Sequence, residues 1–99
     1  MSINVEASSG NVFEDLGFPE EEALNLRIRA DLMIEISKLI EERGLTQVAA
    51  SKLLRVTQPR ISDLVRGKID RFSVDSLIEM LGHAGAYVSF VVTSERQVA

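Results

Sequence analysis

The 99-residue sequence has no cysteine, no tryptophan and only two prolines. Without cysteine neither a disulfide nor a thiolate metal site can form, so a reducing cytoplasm is the expected compartment. No apolar run approaches the ~20 residues that a membrane span requires. The absence of Lys and Arg before Arg27 argues against a signal peptide. We therefore expect a soluble protein with one domain. Its hydrophobic core would be modest, and dimerisation would supplement it.

Positive charge is missing from one part of the chain and concentrated in another, although the net charge is −4. Residues 1–26 contain six acidic residues and no Lys or Arg. Residues 43–71 contain seven basic residues and two acidic ones, a local balance of +5. Phosphates respond to charge within a Debye length of ~8 to 10 Å, so this basic segment remains a plausible DNA-binding surface.

The segment from Leu45 to Gly67 is typical of two short helices joined at a tight corner. Thr46 and Thr57 are N-cap residues, and Pro59 fits the first turn of the second helix because its missing N–H costs nothing there. Gly67 ends this second helix. Helical spacing predicts two buried apolar stripes, which are Ala49, Ala50, Leu53 and Leu54 in the first helix and Ile61, Leu64 and Val65 in the second.

A long helix is predicted before this motif, from Glu20 after Pro19 to a glycine stop at Arg43-Gly44. Its apolar stripe comprises Leu24, Ile28, Leu32, Ile36, Leu39 and Ile40, with Met33 beside it. About 24 residues would give a helix of ~36 Å, so its first half is expected to project towards a partner. Residues 1–18 are interpreted as an N-terminal arm. Its apolar residues, Val12, Phe13, Leu16 and Phe18, either form a docking patch or fold back on the protein's own core.

After the motif, Ser73 can cap a further helix whose apolar residues are Val74, Leu77, Ile78 and Leu81. Residues 86–93, AYVSFVVT, are the only strand that the sequence pattern predicts, and residues 94–99 are a tail. A lone strand needs a partner for its backbone groups, and a second copy of the chain is the simplest supplier. The alternative is an intrachain ribbon with the segment Ser2 to Val5. The predicted dimerisation residues are Leu77, Leu81, Tyr87, Val88, Phe90 and Val92.

Three stretches resemble the Xre/Cro-type helix-turn-helix family: Leu45-Thr46-Gln47, VTQPRIS at 56–62 and Arg66-Gly67-Lys68. RGKIDRFSVDSL and the terminal AYVSFVV are similar to HigA-type antitoxins, and the resemblance covers about residues 12–93. It implies a mainly α fold, a four- to five-helix domain at 19–93 with a C-terminal β-strand pairing across a dimer. It also implies a repressor of its own operon that neutralises a RelE/HigB-like ribonuclease toxin.

The sequence departs from the resembled family at two positions. Arg55 stands at the corner where the family usually has glycine, and Ser51 stands where it often has alanine. Arg55 is therefore expected to need a positive φ, at a cost of about 1 kcal/mol, which a phosphate contact could partly offset.

A recognition helix enters the major groove with its N-terminal residues against base edges, so the exposed positions of residues 57–66 are candidates for DNA reading. Gln58 can bond adenine bidentately and Arg can bond guanine, whereas Asp63 would accept from cytosine or orient Arg60 and Arg66. The resemblance places Gln47 on a phosphate or an outer base. The full set of predicted DNA-binding residues is Gln47, Lys52, Arg55, Thr57, Gln58, Pro59, Arg60, Ser62, Asp63, Arg66 and Lys68.

An enzyme is not predicted. The single histidine, His83, has no second His or any Cys with which to bind a metal, and a helix C-terminus explains it better. No phosphate-binding glycine loop occurs, and no cofactor or metal is expected. Phe13, Leu16 and Phe18 in the acidic arm are the predicted contacts to a basic toxin. The alternatives are a stand-alone transcriptional regulator and, more distantly, an interaction protein that no longer binds DNA.

Overall fold

The computed structural model describes residues 2–7 and 12–92. The elements in chain order are strand β1 (Ser2–Ala7), helices α1 (Val12–Asp15), α2 (Glu20–Glu42), α3 (Gln47–Leu54) and α4 (Gln58–Val65), a 3-10 turn (Ile69–Arg71), helix α5 (Val74–His83) and strand β2 (Tyr87–Val92). The predicted mainly α fold with four to five helices is confirmed.

Helix α2 is the longest element, and its ends follow from local sequence. Pro19 precedes the first helical residue, and three glutamates occupy the first turn, where they complement the positive end of the helix dipole. At the other end Gly44 adopts φ 60°, and the Leu45 amide donates to the Ile40 carbonyl at 3.0 Å. This glycine-based stop confirms the predicted end of the helix.

The N-terminal half of α2 is covered by α1. Ala23 and Leu26 are buried there, apart from the main core. Phe13 and Phe18 meet edge to face with ring centroids 6.2 Å apart, and the Phe18 amide donates to the Phe13 carbonyl. The arm therefore packs on its own chain at this point. Leu16 and Phe18 nevertheless remain 69% and 40% exposed, so apolar surface is left over.

Strands β1 and β2 pair in parallel, from Ser2 opposite Tyr87 to Ala7 opposite Val92. The premise that the C-terminal strand is alone was wrong, and the intrachain ribbon is present and extends past the predicted Val5. Backbone groups at the strand's edge require partners, and the N-terminal segment supplies them within the chain. Buried Ile3 anchors β1 to the core. Thr93 and the predicted tail at 94–99 lie outside the described residues.

The main core joins one face of α2 to α3, α4, α5 and the start of the ribbon. Leu77 and Leu81 have no exposed surface within a single protomer, so they are core residues and not available as dimer contacts. Val65, predicted to face inward, is 47% exposed. Ile61 and Leu64 occupy the inward face of α4, and a rotation of ~100° per residue carries Val65 away from it.

Candidate nucleic-acid interface

Helices α3 and α4 form a two-helix motif whose ends are fixed by side-chain caps. Thr46 Oγ1 accepts from the Ala49 amide at 3.1 Å, and Thr57 Oγ1 accepts from the Arg60 amide at 3.4 Å. Both bonds confirm the predicted caps. Ala50 is fully buried in the core, where a small side chain allows close packing of neighbouring helices. The motif is therefore positioned by local hydrogen bonds as well as by core packing.

The corner between the two helices comprises residues 55–57, and its first residue, Arg55, lies in the left-handed region. Arg55 adopts φ 57° and ψ 45°, and the Val56 amide donates to the Ser51 carbonyl at 3.0 Å. The expected positive φ is confirmed. A residue with a Cβ pays ~1 kcal/mol for this conformation. The Arg55 side chain is exposed at the corner, so its charge is available to a ligand.

The first residues of α4 face solvent. Thr57, Gln58 and Pro59 are all exposed, whereas Ile61 and Leu64 are buried beneath them. Further predicted DNA-binding residues with exposed side chains are Gln47, Lys52 and Arg66, and Ser62 and Lys68 are half-buried. The structure thus brings most of the predicted residues to the solvent-facing surface of the motif and of the segment after it.

Arg60 differs from its exposed neighbours because its half-buried side chain is bonded to other residues of the protein. It lies over the Phe72 ring, 4.2 Å from the centroid, and Nη1 donates to the Arg71 carbonyl. Phe72 itself is 3% exposed. Arg60 therefore joins α4 to residues 66–73, a segment we call the connector. A residue chosen for base reading has a structural contact that the sequence did not reveal.

Asp63 also points into the connector. Its carboxylate lies 3.1 Å from Arg71 Nη1 and 3.5 Å from Lys68 Nζ. The expected pairing with Arg60 and Arg66 at i−3 and i+3 is corrected by these contacts. Partial burial would raise the pKa of Asp63, but the hydrogen bond and positive charge of Arg71, together with Lys68, leave that pKa below its ordinary value.

Arg29 of α2 also contacts the connector, and no sequence pattern predicts this role. Its Nη1 donates to the Ile69 carbonyl at 3.1 Å and to the Phe72 carbonyl at 3.3 Å. Arg29, Arg60 and Arg71 line one open cleft of about 410 Å³ beside the start of α5. Arg71 belongs to the basic segment identified in the sequence. The contacts of Arg29 join residues 40 or more positions apart, so no local sequence pattern predicts them.

A second group of exposed side chains lies outside the motif. On β2, Tyr87, Phe90 and Val92 are 77%, 45% and 84% exposed, whereas Val88 is half-buried. Phe13, the third predicted arm contact, is half-buried.

Within residues 2–7 and 12–92, no acidic or histidine cluster is suited to a metal, and no helix is long and apolar enough to span a membrane.

Two capped helices at a tight corner, with the second exposing its N-terminal residues on a basic surface, define a helix-turn-helix DNA-binding domain. The chain belongs to the helix-turn-helix domain family, whose match covers residues 12–93. It is also similar to a solved structure described as "Putative XRE Family Transcriptional Regulator". That likeness has a TM-score of 0.69 and 27% identity, covering 82% of this chain and 92% of the other. No curated protein matches the chain.

Proposed function

We propose that this protein is an XRE-type antitoxin, a dimeric repressor of its own operon that also neutralises a RelE/HigB-like ribonuclease. The observation that carries the regulatory part is the exposed start of α4, Thr57 to Pro59, within a basic surface. The similarity to an XRE family transcriptional regulator supports the same role. Such a protein acts on DNA in the cytoplasm.

In this proposal α4 enters the major groove and Gln58 reads a base edge, adenine being its natural partner. Arg66 is a further base-reading candidate, and Ser62 and Thr57 face the same groove. Gln47, Lys52, Arg55 and Lys68 contact phosphates and position the helix without reading sequence. Arg60 and Asp63 act through the connector, because their polar groups are already bonded to it.

The proposed dimer uses the edge of β2 that β1 does not cover. Two copies related by a two-fold axis would place their β2 strands side by side in a four-stranded sheet. Tyr87, Phe90 and Val92 support this arrangement because their apolar surface is exposed in the protomer. A rigid interface of this kind can hold two recognition helices about 34 Å apart, the spacing of successive major grooves.

The proposed toxin contact is the arm, where Leu16 and Phe18 expose apolar surface beside acidic residues. A ribonuclease needs positive charge to hold RNA, so an acidic segment complements it and the apolar residues add affinity. A stand-alone regulator is the second candidate. It is favoured by the burial of Ala23 and Leu26 next to α1, because the arm then has a role in the protein's own fold.

DNA binding is tested by titrating the chain's own promoter at several salt concentrations. We expect Gln58→Ala to reduce discrimination between operator and mutated sites, since a bidentate base contact is worth ~1 to 3 kcal/mol. Lys52→Ala should weaken binding to all sequences. It should also reduce the slope of the logarithm of the binding constant against the logarithm of the salt concentration by about one. Lys38→Ala is the matched control, because Lys38 lies on α2, outside the helix-turn-helix motif, where it pairs with Glu35 of the same helix. No binding by the wild type at low salt would overturn the proposal.

The toxin contact is tested by point substitution, since removing residues 1–18 would also remove β1. Leu16→Ser with Phe18→Ser should abolish rescue of cells that express the cognate toxin, while operator binding remains at the wild-type level. Ile34→Ser is a matched control because Ile34 is 53% exposed on α2. Full rescue by the double variant would favour the stand-alone regulator.

A further inference from the structure

We propose that Arg29 is a positioning residue for DNA binding, which fixes the connector so that Lys68 and Arg71 meet the phosphate backbone. This inference rests on the DNA-binding function proposed above and adds a residue from outside the helix-turn-helix motif. Arg29 lies in α2, far along the chain from α4 and the connector. It touches neither base nor phosphate in this proposal and acts through the connector alone.

The geometry of Arg29 supports this role at both ends of its guanidinium. Nη1 donates to the carbonyls of Ile69 and Phe72, 3.1 and 3.3 Å away, which bracket the second half of the connector. Nε donates to Asn25 Oδ1 at 2.8 Å, one turn earlier on the same helix. The Arg29 side chain is therefore fixed by Asn25 of its own helix while it binds the connector.

Two apolar side chains and Arg29 fix the connector to the body of the domain. Phe72 is buried in the core and Ile69 packs against it, whereas Arg29 binds the carbonyls of the same two residues by hydrogen bonds. The regular structure of the connector is one 3-10 turn, Ile69–Arg71, and two of its basic side chains, Lys68 and Arg71, contact Asp63 of α4. These contacts tie the connector to α4, whereas Arg29 ties it to α2. A loop held before DNA arrives does not pay its ordering entropy on binding, which raises affinity without a new contact to DNA.

A direct phosphate contact by Arg29 is the competing explanation, because Arg29 shares a cleft with Arg60 and Arg71. The two explanations differ in how Arg29 and Lys68 combine. A direct contact is independent of Lys68, so the two losses of binding free energy would add. A positioning role requires the connector residues to be present, so a lost Arg29 should reduce what Lys68 still contributes.

The test compares Arg29→Met with Arg27→Met, which removes an equal charge two residues earlier on the same helix. Among the described contacts, the Arg27 side chain pairs only with Asp31. Operator affinity should fall about tenfold for Arg29→Met, the usual size of a lost charged hydrogen bond, and less than about twofold for Arg27→Met. In the Arg29→Met background Lys68→Ala should have a clearly smaller effect than in the wild type.

Amide hydrogen exchange of the DNA-free protein supplies an independent readout. Arg29→Met should speed exchange at the Arg71 and Phe72 amides, which donate to Lys68 and Ile69, while α5 stays protected. Additive losses for Arg29 and Lys68, equal losses for Arg29 and Arg27, or unchanged connector exchange would each overturn the inference. If the wild type binds no operator while the exchange result is as expected, the proposed function is wrong, but Arg29 still stabilises the connector.

Discussion

The helix-turn-helix motif and the terminal elements differ in how much of their apolar surface they bury within one protomer. Leu54, Ile61 and Leu64 are at most 1% exposed, and each helix of the motif has a side-chain cap. In the ribbon, Tyr87 and Val92 are 77% and 84% exposed. Exposed apolar groups gathered in one region mark interaction surfaces. The motif buries its largest apolar side chains within one protomer, whereas the ribbon leaves large apolar side chains exposed.

The largest effect expected within this comparison is in the motif's core. Leu64→Ala should lower the free energy of unfolding by about 2 to 5 kcal/mol, since it removes a fully buried side chain. Val65→Ala is the control from the next position of the same helix, where 47% exposure predicts a much smaller loss. Urea unfolding measures both. Equal losses would remove the distinction between the two faces of α4.

The ribbon should respond chiefly in assembly. Val88→Pro removes a backbone donor from β2 and should yield monomers with much weaker operator binding. Sedimentation at micromolar concentration measures the association. Val92→Ser is the milder companion, because it removes exposed apolar surface while keeping every backbone group. A wild-type protein that sediments as a monomer would show that the terminal surface serves something other than dimerisation.

A smaller effect, of opposite sign for stability and binding, is expected at the motif's corner. Arg55→Gly should stabilise the fold by up to about 1 kcal/mol, because glycine adopts a positive φ without strain. Operator affinity should fall as the exposed positive charge is lost. Thermal unfolding and the promoter titration test both effects. Arg55→Ala separates them, since it loses the charge but keeps the Cβ that makes a positive φ costly.

The smallest effect expected concerns pH and Asp63. Its folded-state pKa is below the ordinary value because Arg71 and Lys68 favour the carboxylate. A lowered pKa stabilises the fold above the unfolded-state pKa of ~3.9 and loses that contribution as the pH falls through the folded value. The stability difference between wild type and Asp63→Asn should therefore be constant near neutrality and shrink only in acid. A difference that grows in acid would contradict the assignment.

The sequence alone determined the features that depend on neighbours three or four residues apart. Thr46, Thr57 and Ser73 were predicted caps, and each accepts the expected backbone amide. The glycine stop after α2 and the positive φ of Arg55 were likewise predicted. Capping and backbone strain are local properties, so the residues that produce them are adjacent in the sequence.

Only the tertiary structure decided which distant groups meet. The pairing of Ile3 with Val88, the contact of Arg29 with the connector and the pairing of Asp63 with Arg71 follow no sequence period. Periodicity placed Leu77 on an apolar face but could not say whether that face meets the same chain or another copy. A face's partner is set by how the whole chain folds around it, because burial depends on every element that packs nearby.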